Sequence, residues 1–182
     1  MKDDILKVLI STEEISEKVT SLGRQISEDY KYKNLLMVSV LKGSVVFMAD
    51  LMRAIDIHAH IDFMSVSSYG SSTKTSGIVK INKDLDLNLS GYDLLLVEDI
   101  LDSGKTLKFL KETLLPRHPS SIKIATLLDK PERRQVDLTA DYSCFSVPDE
   151  FVVGYGLDFD QKYRNLPYIG ILKSEVYEGY LK

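Results

Sequence analysis

Apolar positions along this chain follow two patterns that alternate. Short unbroken runs, Leu35 to Leu41 (LLMVSVL), Leu94 to Val97 and Ile122 to Leu128, have the length of strands buried on both faces. Between them apolar residues recur at helical spacing. Ile15, Val19, Leu22 and Ile26 share one helical face, and Leu107, Leu110 and Leu114 share another. Ser11 to Glu14 reads as a capping box for the first of these helices. An apolar helix from about Ser44 to Ile55 follows Gly43, and Pro116 ends the helix that carries Leu107. Ile61 to Ser67 and Ile78 to Ile81 read as partner strands. The polar segment between them, SYGSSTKTSG, has no periodicity and is too long for a tight turn, so a mobile loop is expected. Phe151 to Val153 and Ile169 to Leu172 close the series.

Strands alternating with helices predict an α/β fold, a mostly parallel sheet covered on both faces. Ligands of such sheets bind beyond the carboxyl ends of the strands. That rule points to the loops after Leu41, Val97 and Leu128.

Composition narrows the class. The chain has 182 residues, 44% of them hydrophobic and 27% charged, which fits one ordinary globular domain. Its net charge of −4 argues against a nucleic-acid partner, which calls for a basic face. The first residues, MKDDILKVLI, put acids where a signal peptide has bases, and no apolar run approaches the ~18 residues of a membrane span. Cys144 is the single cysteine, so no internal disulfide forms; it reads as a small buried residue in a cytoplasmic protein.

The chemistry concentrates in VEDILDSGKT, Val97 to Thr106. Glu98 and Asp99 end a buried strand, where two adjacent carboxylates are costly unless they bind hydroxyls, cations or a metal. Asp102, Ser103, Gly104, Lys105 and Thr106 form the turn into a helix. Backbone amides at a helix N-terminus favour an anion, and Gly104 permits close approach. A simple cap by Asp102 or Ser103 would explain one residue but not the carboxylates upstream. Gly104-Lys105-Thr106 invites comparison with the Walker loop, but Asp99 stands where that pattern needs glycine, and an acid would repel a triphosphate. Gly154 and Gly156 begin a GxG whose third glycine is replaced by Phe159, which rejects a dinucleotide fingerprint.

VEDILDSGKT resembles the donor-binding signature of type I phosphoribosyltransferases: hydrophobic residues, two acids, then Asp, a hydroxyl residue and Gly. VLKGS (Val40–Ser44), SSYG (Ser67–Gly70), LLDKPERR (Leu127–Arg134) and VPDEFVVGYGLDFDQKYRNLPYIG (Val147–Gly170) narrow the resemblance to hypoxanthine-guanine phosphoribosyltransferases of bacterial type. It covers the chain from about Val38 to Tyr177. Ser103 stands where threonine is commoner, and Ser44 where glycine or alanine is.

The resemblance implies the type I phosphoribosyltransferase fold over residues 1–182, with a small hood built from the N- and C-terminal segments. It implies transfer of a phosphoribosyl group from 5-phosphoribosyl 1-diphosphate to a 6-oxopurine, with Mg²⁺ as cofactor. Glu98 and Asp99 would hold the ribose hydroxyls directly or through the metal. Asp102 would be the general base. Ser103, Gly104, Lys105 and Thr106 would cradle the 5-phosphate. Lys42, Gly43 and Arg164 would contact pyrophosphate, and Ser68 and Tyr69 would close over the transition state. Lys130 would bond the 6-oxo group, Phe151 would stack on the purine, Val152 would offer backbone groups to its edge, and Asp158 would bind a second Mg²⁺. The family is usually dimeric or tetrameric, and the Leu41–Lys42 peptide is open to either isomer. The chemistry is consistent: the leaving pyrophosphate needs cations, and an oxocarbenium-like sugar needs shelter from water.

Plainer readings compete at several positions. A solvated loop lysine is the plainer reading of Lys42 and Lys130, but function is favoured at both, Lys42 because it follows a buried strand and precedes Gly43; Phe151 alone would more often be core. His58 and His60 lack a third ligand and read as a strand edge. Arg117, Arg133 and Arg134 read as a solvated face. At the level of function, a donor-sensing regulator that binds RNA or DNA competes with the enzyme, as does an enzyme for xanthine, adenine or uracil. The acidic balance and the presence of Asp102, Lys130 and Asp158 favour the 6-oxopurine enzyme.

Overall fold

The structure, a computed structural model, describes residues 1–68 and 79–180. Its frame is a sheet of six strands in the order β4-β3-β2-β5-β6-β7. These are β2 (Leu35–Leu41), β3 (Ala59–Ser68), β4 (Val79–Lys83), β5 (Asp93–Leu101), β6 (Ser121–Asp129) and β7 (Tyr142–Ser146). All neighbours run parallel except β3 and β4.

The unbroken apolar runs follow from burial on both faces. Alternate residues of a strand leave the sheet on opposite sides. Leu35, Met37, Leu95 and Val97 enter one core with α1 (Thr12–Asp29) and α2 (Val45–Ala54), through Ile15, Val19, Leu22, Ile26, Phe47 and Leu51. Leu36, Val38, Leu94 and Leu96 enter the other with Leu107, Leu110 and Leu114 of α3 (Lys105–Leu114). The capping box holds: Ser11 Oγ accepts from the Glu14 amide at 3.2 Å, and Glu14 accepts from the Ser11 amide at 2.8 Å.

A second sheet of three antiparallel strands, order β1-β9-β8, is built from β1 (Ile5–Ile10), β8 (Val152–Val153) and β9 (Ile169–Leu172). A single helical turn, α4 (Ser174–Tyr177), follows β9. Val153, Tyr163, Leu166 and Leu172 form a small core of its own, with Phe151 and Tyr177 packed against it. The N-terminal strand β1 and the C-terminal strand β9 thus pair within one small sheet.

Several boundaries differ from expectation. β5 runs four residues past Val97, so Glu98 and Asp99 lie within a strand rather than beyond one. β1 and β7 were not anticipated. The loop expected to be mobile falls largely on residues 69–78, outside the described ones. Among the described residues, no helix is long and apolar enough to cross a membrane.

Candidate active site

Three loops converge at the carboxyl edge of the large sheet. The first follows β2. Ser44 is buried; its hydroxyl donates to the Val40 carbonyl at 2.6 Å and lies 2.7 Å from Ser39 Oγ. The loop is thereby pinned against the strand it leaves. The Leu41–Lys42 peptide is cis. Gly43 lies directly against Asp99: a Cβ there would fall 1.6 Å from Asp99 Oδ2, and one on Gly156 would fall 2.1 Å from the Gly43 carbonyl oxygen. This backbone therefore passes between a carboxylate and a second loop with no room for a side chain on either.

The second loop leads from β5 into α3. Burial, the largest cause, pushes the Asp99 carboxyl up to about 6, against hydrogen bonds from the backbone amides of Ile100 and Asp99. Glu98 is raised well above the usual carboxylate range by burial and then by the charge of Asp99. Its Oε2 is buried with no hydrogen-bond partner among the described residues. Gly104 occupies the cap of α3 with φ +81°. Gly104 has no side chain to cap with and Asp102 makes no such bond; Ser103 Oγ accepts from the Lys105 amide at a long 3.5 Å, which leaves the other first-turn amides for a ligand.

The third loop follows β6 and braces the second. Arg134 is half-buried; it donates from Nε to the Asp102 carbonyl at 3.1 Å and from Nη1 to the Leu138 carbonyl at 2.8 Å, and it pairs with Asp129. The Gln135 amide donates to the Ser103 carbonyl at 3.0 Å. Arg133 is exposed, with Nε 2.8 Å from Asp102 Oδ1 and Nη1 3.2 Å from Asp149 Oδ1. Arg117 holds Asp84 through two bonds of 2.8 Å. The expectation that these three arginines form a solvated face holds for Arg133, which is exposed, and fails for Arg134, whose side chain is only 15% exposed. All three pair with carboxylates, and Arg117 with Asp84 and Arg133 with Asp102 and Asp149 do so across separations that spacing does not reveal.

Beside Asp102 lies a cavity of about 460 Å³. Of the residues singled out from sequence, it brings together Asp102, Lys130, Phe151, Val152 and Asp158. Lys130 is buried, and its Nζ donates to the Glu150 carbonyl at 2.5 Å. Phe151 stacks on Tyr177, with centroids 4.8 Å apart and planes 20° from parallel. Ile100, Arg133, Asp149 and Tyr177 also line the cavity and were not foreseen. Ile100, Arg133 and Asp149 lie within the quoted motifs, but nothing in the sequence marked their side chains as facing the cavity.

A polar edge adjoins this cavity. Asp158 Oδ1 pairs with Arg164 Nη2 at 2.7 Å. Gln161 Oε1 accepts from Lys42 Nζ at 3.4 Å and from Arg164 Nη2 at 3.3 Å, so the two predicted pyrophosphate cations share one oxygen. Ser68 ends β3, and Tyr69 lies outside the described residues. Cys144 is buried and its thiol is pushed up to about 12 by burial, as suits a packing residue. His60 packs edge-on against Tyr92 at 5.2 Å, in keeping with a strand edge.

Among the described residues, no three His, Cys, Asp or Glu side chains stand close enough to hold a metal unaided. Mg²⁺ is commonly bound by one or two carboxylates together with substrate oxygens. The orphaned Glu98 Oε2 and the buried Asp99 carboxyl fit that arrangement.

Comparison with known proteins agrees with this geometry. A model of the phosphoribosyl transferase domain matches residues 11–160. A hypoxanthine-guanine phosphoribosyltransferase of Streptococcus thermophilus is 55% identical over 177 residues, covering 97% of this chain and 98% of that protein. One from Streptococcus pneumoniae is 53% identical over 179 residues, covering 98% and 99%. The crystal structure of a hypoxanthine phosphoribosyltransferase from Staphylococcus aureus superposes with a TM-score of 0.94 at 51% identity, covering 97% of this chain and 96% of that one. A helix that opens on Gly104, after two buried carboxylates and beside an aromatic cavity, is thus found in a chain that belongs to the phosphoribosyl transferase family, among its hypoxanthine-guanine members.

Proposed function

We infer that this protein transfers the 5-phosphoribosyl group from 5-phosphoribosyl 1-diphosphate to hypoxanthine or guanine, giving IMP or GMP and releasing pyrophosphate. One observation carries the reading: Asp102 lines the aromatic cavity two residues before Gly104, the residue that opens α3. A sugar phosphate seated on the helix amides and a purine seated against Phe151 would meet at that carboxylate.

The residues then divide the work. Ser103, Gly104, Lys105 and Thr106 bind the 5-phosphate, the amides and hydroxyls donating to its oxygens. Glu98 and Asp99 accept from the ribose hydroxyls. Phe151 stacks on the purine, Lys130 donates to its 6-oxo group, and Val152 meets its edge. Asp102 takes the imidazole proton as the glycosidic bond forms. Lys42, Gly43 and Arg164 receive the pyrophosphate, with Ser68 and Tyr69 closing above it. Mg²⁺, held by Glu98 and Asp99 and by Asp158 together with substrate oxygens, would neutralise the charge that develops on the leaving group. One domain spans residues 1–182, works in the cytoplasm as a homodimer or homotetramer, and takes no nucleic acid.

The test is direct turnover of hypoxanthine, guanine, xanthine, adenine and uracil with the donor and Mg²⁺. Nucleotide should form from hypoxanthine or guanine; product from neither would overturn the assignment. Asp102→Asn should retain donor binding by calorimetry while lowering kcat by about 10²- to 10⁴-fold. An unaltered kcat would remove Asp102 from the base role.

A further inference from the structure

We propose that Arg133 is a positioning residue for Asp102, holding one carboxylate oxygen so that the other faces the acceptor. The proposal rests on the reading of Asp102 as the proton acceptor. The contact is specific: Arg133 Nε lies 2.8 Å from Asp102 Oδ1. That oxygen is buried, yet the Asp102 side chain as a whole is 43% exposed, so its exposure falls on Oδ2. Neither oxygen accepts an aligned hydrogen bond from a described residue, but Oδ1 is held in a close ion pair with Arg133 whereas Oδ2 has no cation against it. One oxygen is thus paired and the other is left for the cavity.

Arg133 is itself anchored. Its Nη1 lies 3.2 and 3.4 Å from the two oxygens of Asp149, and Lys130 Nζ lies 3.7 Å from Asp149 Oδ1. Asp149 therefore ties the arginine that orients the base to the lysine that meets the purine, and all four residues line the same cavity. Arg133 sits in the helical turn Pro131–Arg133 directly after Lys130, so the two cations leave one short rigid segment. A guanidinium suits the task, because its fixed fork spans two carboxylates where an ammonium is a single point. Exposed ion pairs add little to stability. A role for this one is therefore to be sought in kinetics rather than in melting temperature.

A general base left free to rotate loses the orientation that makes proton transfer efficient, and Arg133→Ala should lower kcat by about tenfold. The Michaelis constant for the donor should stay within about twofold, and Arg133→Lys should recover only part of the rate. The decisive measurement places Arg133→Ala in the Asp102→Asn background. A residue that acts through Asp102 adds no further loss there. Wild-type kcat in Arg133→Ala, or the same loss repeated in the Asp102→Asn background, would overturn the proposal while leaving the base intact. Full turnover by Asp102→Asn would remove both readings together.

Discussion

Burial of Asp99 within β5 sets up a conflict between stability and function that one residue exposes. Its carboxyl is held at about 6 against an ordinary 3.8, with burial as the leading cause. Between those values the folded chain binds a proton that the unfolded chain has released. Stability from this group is present at low pH and is lost as pH rises from about 4 through about 6, for a total of about 3 kcal/mol. Asp99→Asn removes the ionisation. In metal-free buffer containing a chelator, urea denaturation should find the variant more stable than the parent at pH 8 by about 1–3 kcal/mol and equal to it near pH 4. The same variant should lose donor affinity. A variant no more stable at pH 8 would show that the site does not strain this carboxylate. Stability given up within a strand for ligand binding is the usual mark of a functional position.

At the scale of elements, the loop after β2 depends on an absent atom. A methyl group on Gly43 would fall 1.6 Å from Asp99 Oδ2, with the Gly156 loop closing the other side. Gly43→Ala should therefore displace the Asp99 carboxylate. Donor affinity should fall more than about tenfold, the cost of losing one charged contact, while the far-ultraviolet circular dichroism stays that of the parent. Unchanged donor binding by titration calorimetry would show that the loop yields elsewhere. This contact illustrates what could be read in advance. The runs at Leu35, Leu94 and Ile122 were legible because both faces of those strands are buried, which erases alternation and leaves continuous apolar sequence. β1 was not legible, because Leu6 and Val8 are exposed in it and neither strand period appears. β7 is a sheet edge whose exposed Ser143 and Ser146 interrupt its apolar residues. The extension of β5 was hidden by its own acids, which seldom continue a strand and here do so for the site. The positions of Asp102, Lys130 and Phe151 were legible through motif resemblance. Their neighbours Arg133, Asp149 and Tyr177 depend on long-range folding and were not.

On the proposed reading, the molecule divides most of the binding between its two sheets. Loops of the large sheet carry most of the donor residues, Arg164 between β8 and β9 being the exception, whereas the small sheet and the turn after it carry the aromatic wall. The Leu172 amide donates to the Phe151 carbonyl at 2.8 Å, fixing that wall to β9, and the Lys173 amide donates to the Asp4 carbonyl at 3.0 Å, tying it to the N-terminus. Tyr177 lies flat on Phe151, and Phe159 meets Phe151 edge-on at 5.5 Å. Phe151 is thus held as one member of an aromatic cluster rather than as a free ring. If the sheets divide the substrates, changes in that cluster should act on one Michaelis constant alone. An aromatic pair contributes about 0.5–1.5 kcal/mol beyond burial, which corresponds to about 2- to 12-fold in affinity. Tyr177→Ala should raise the Michaelis constant for the purine by about that factor, and Phe151→Ala by more, because it also removes the stacking surface. Both should leave the constant for the donor within about twofold, since most of its contacts lie on the large sheet. Steady-state kinetics with each substrate varied in turn decides the matter. Equal increases in both constants would mean that the small sheet supports the whole site mechanically, and that the purine does not stack on Phe151.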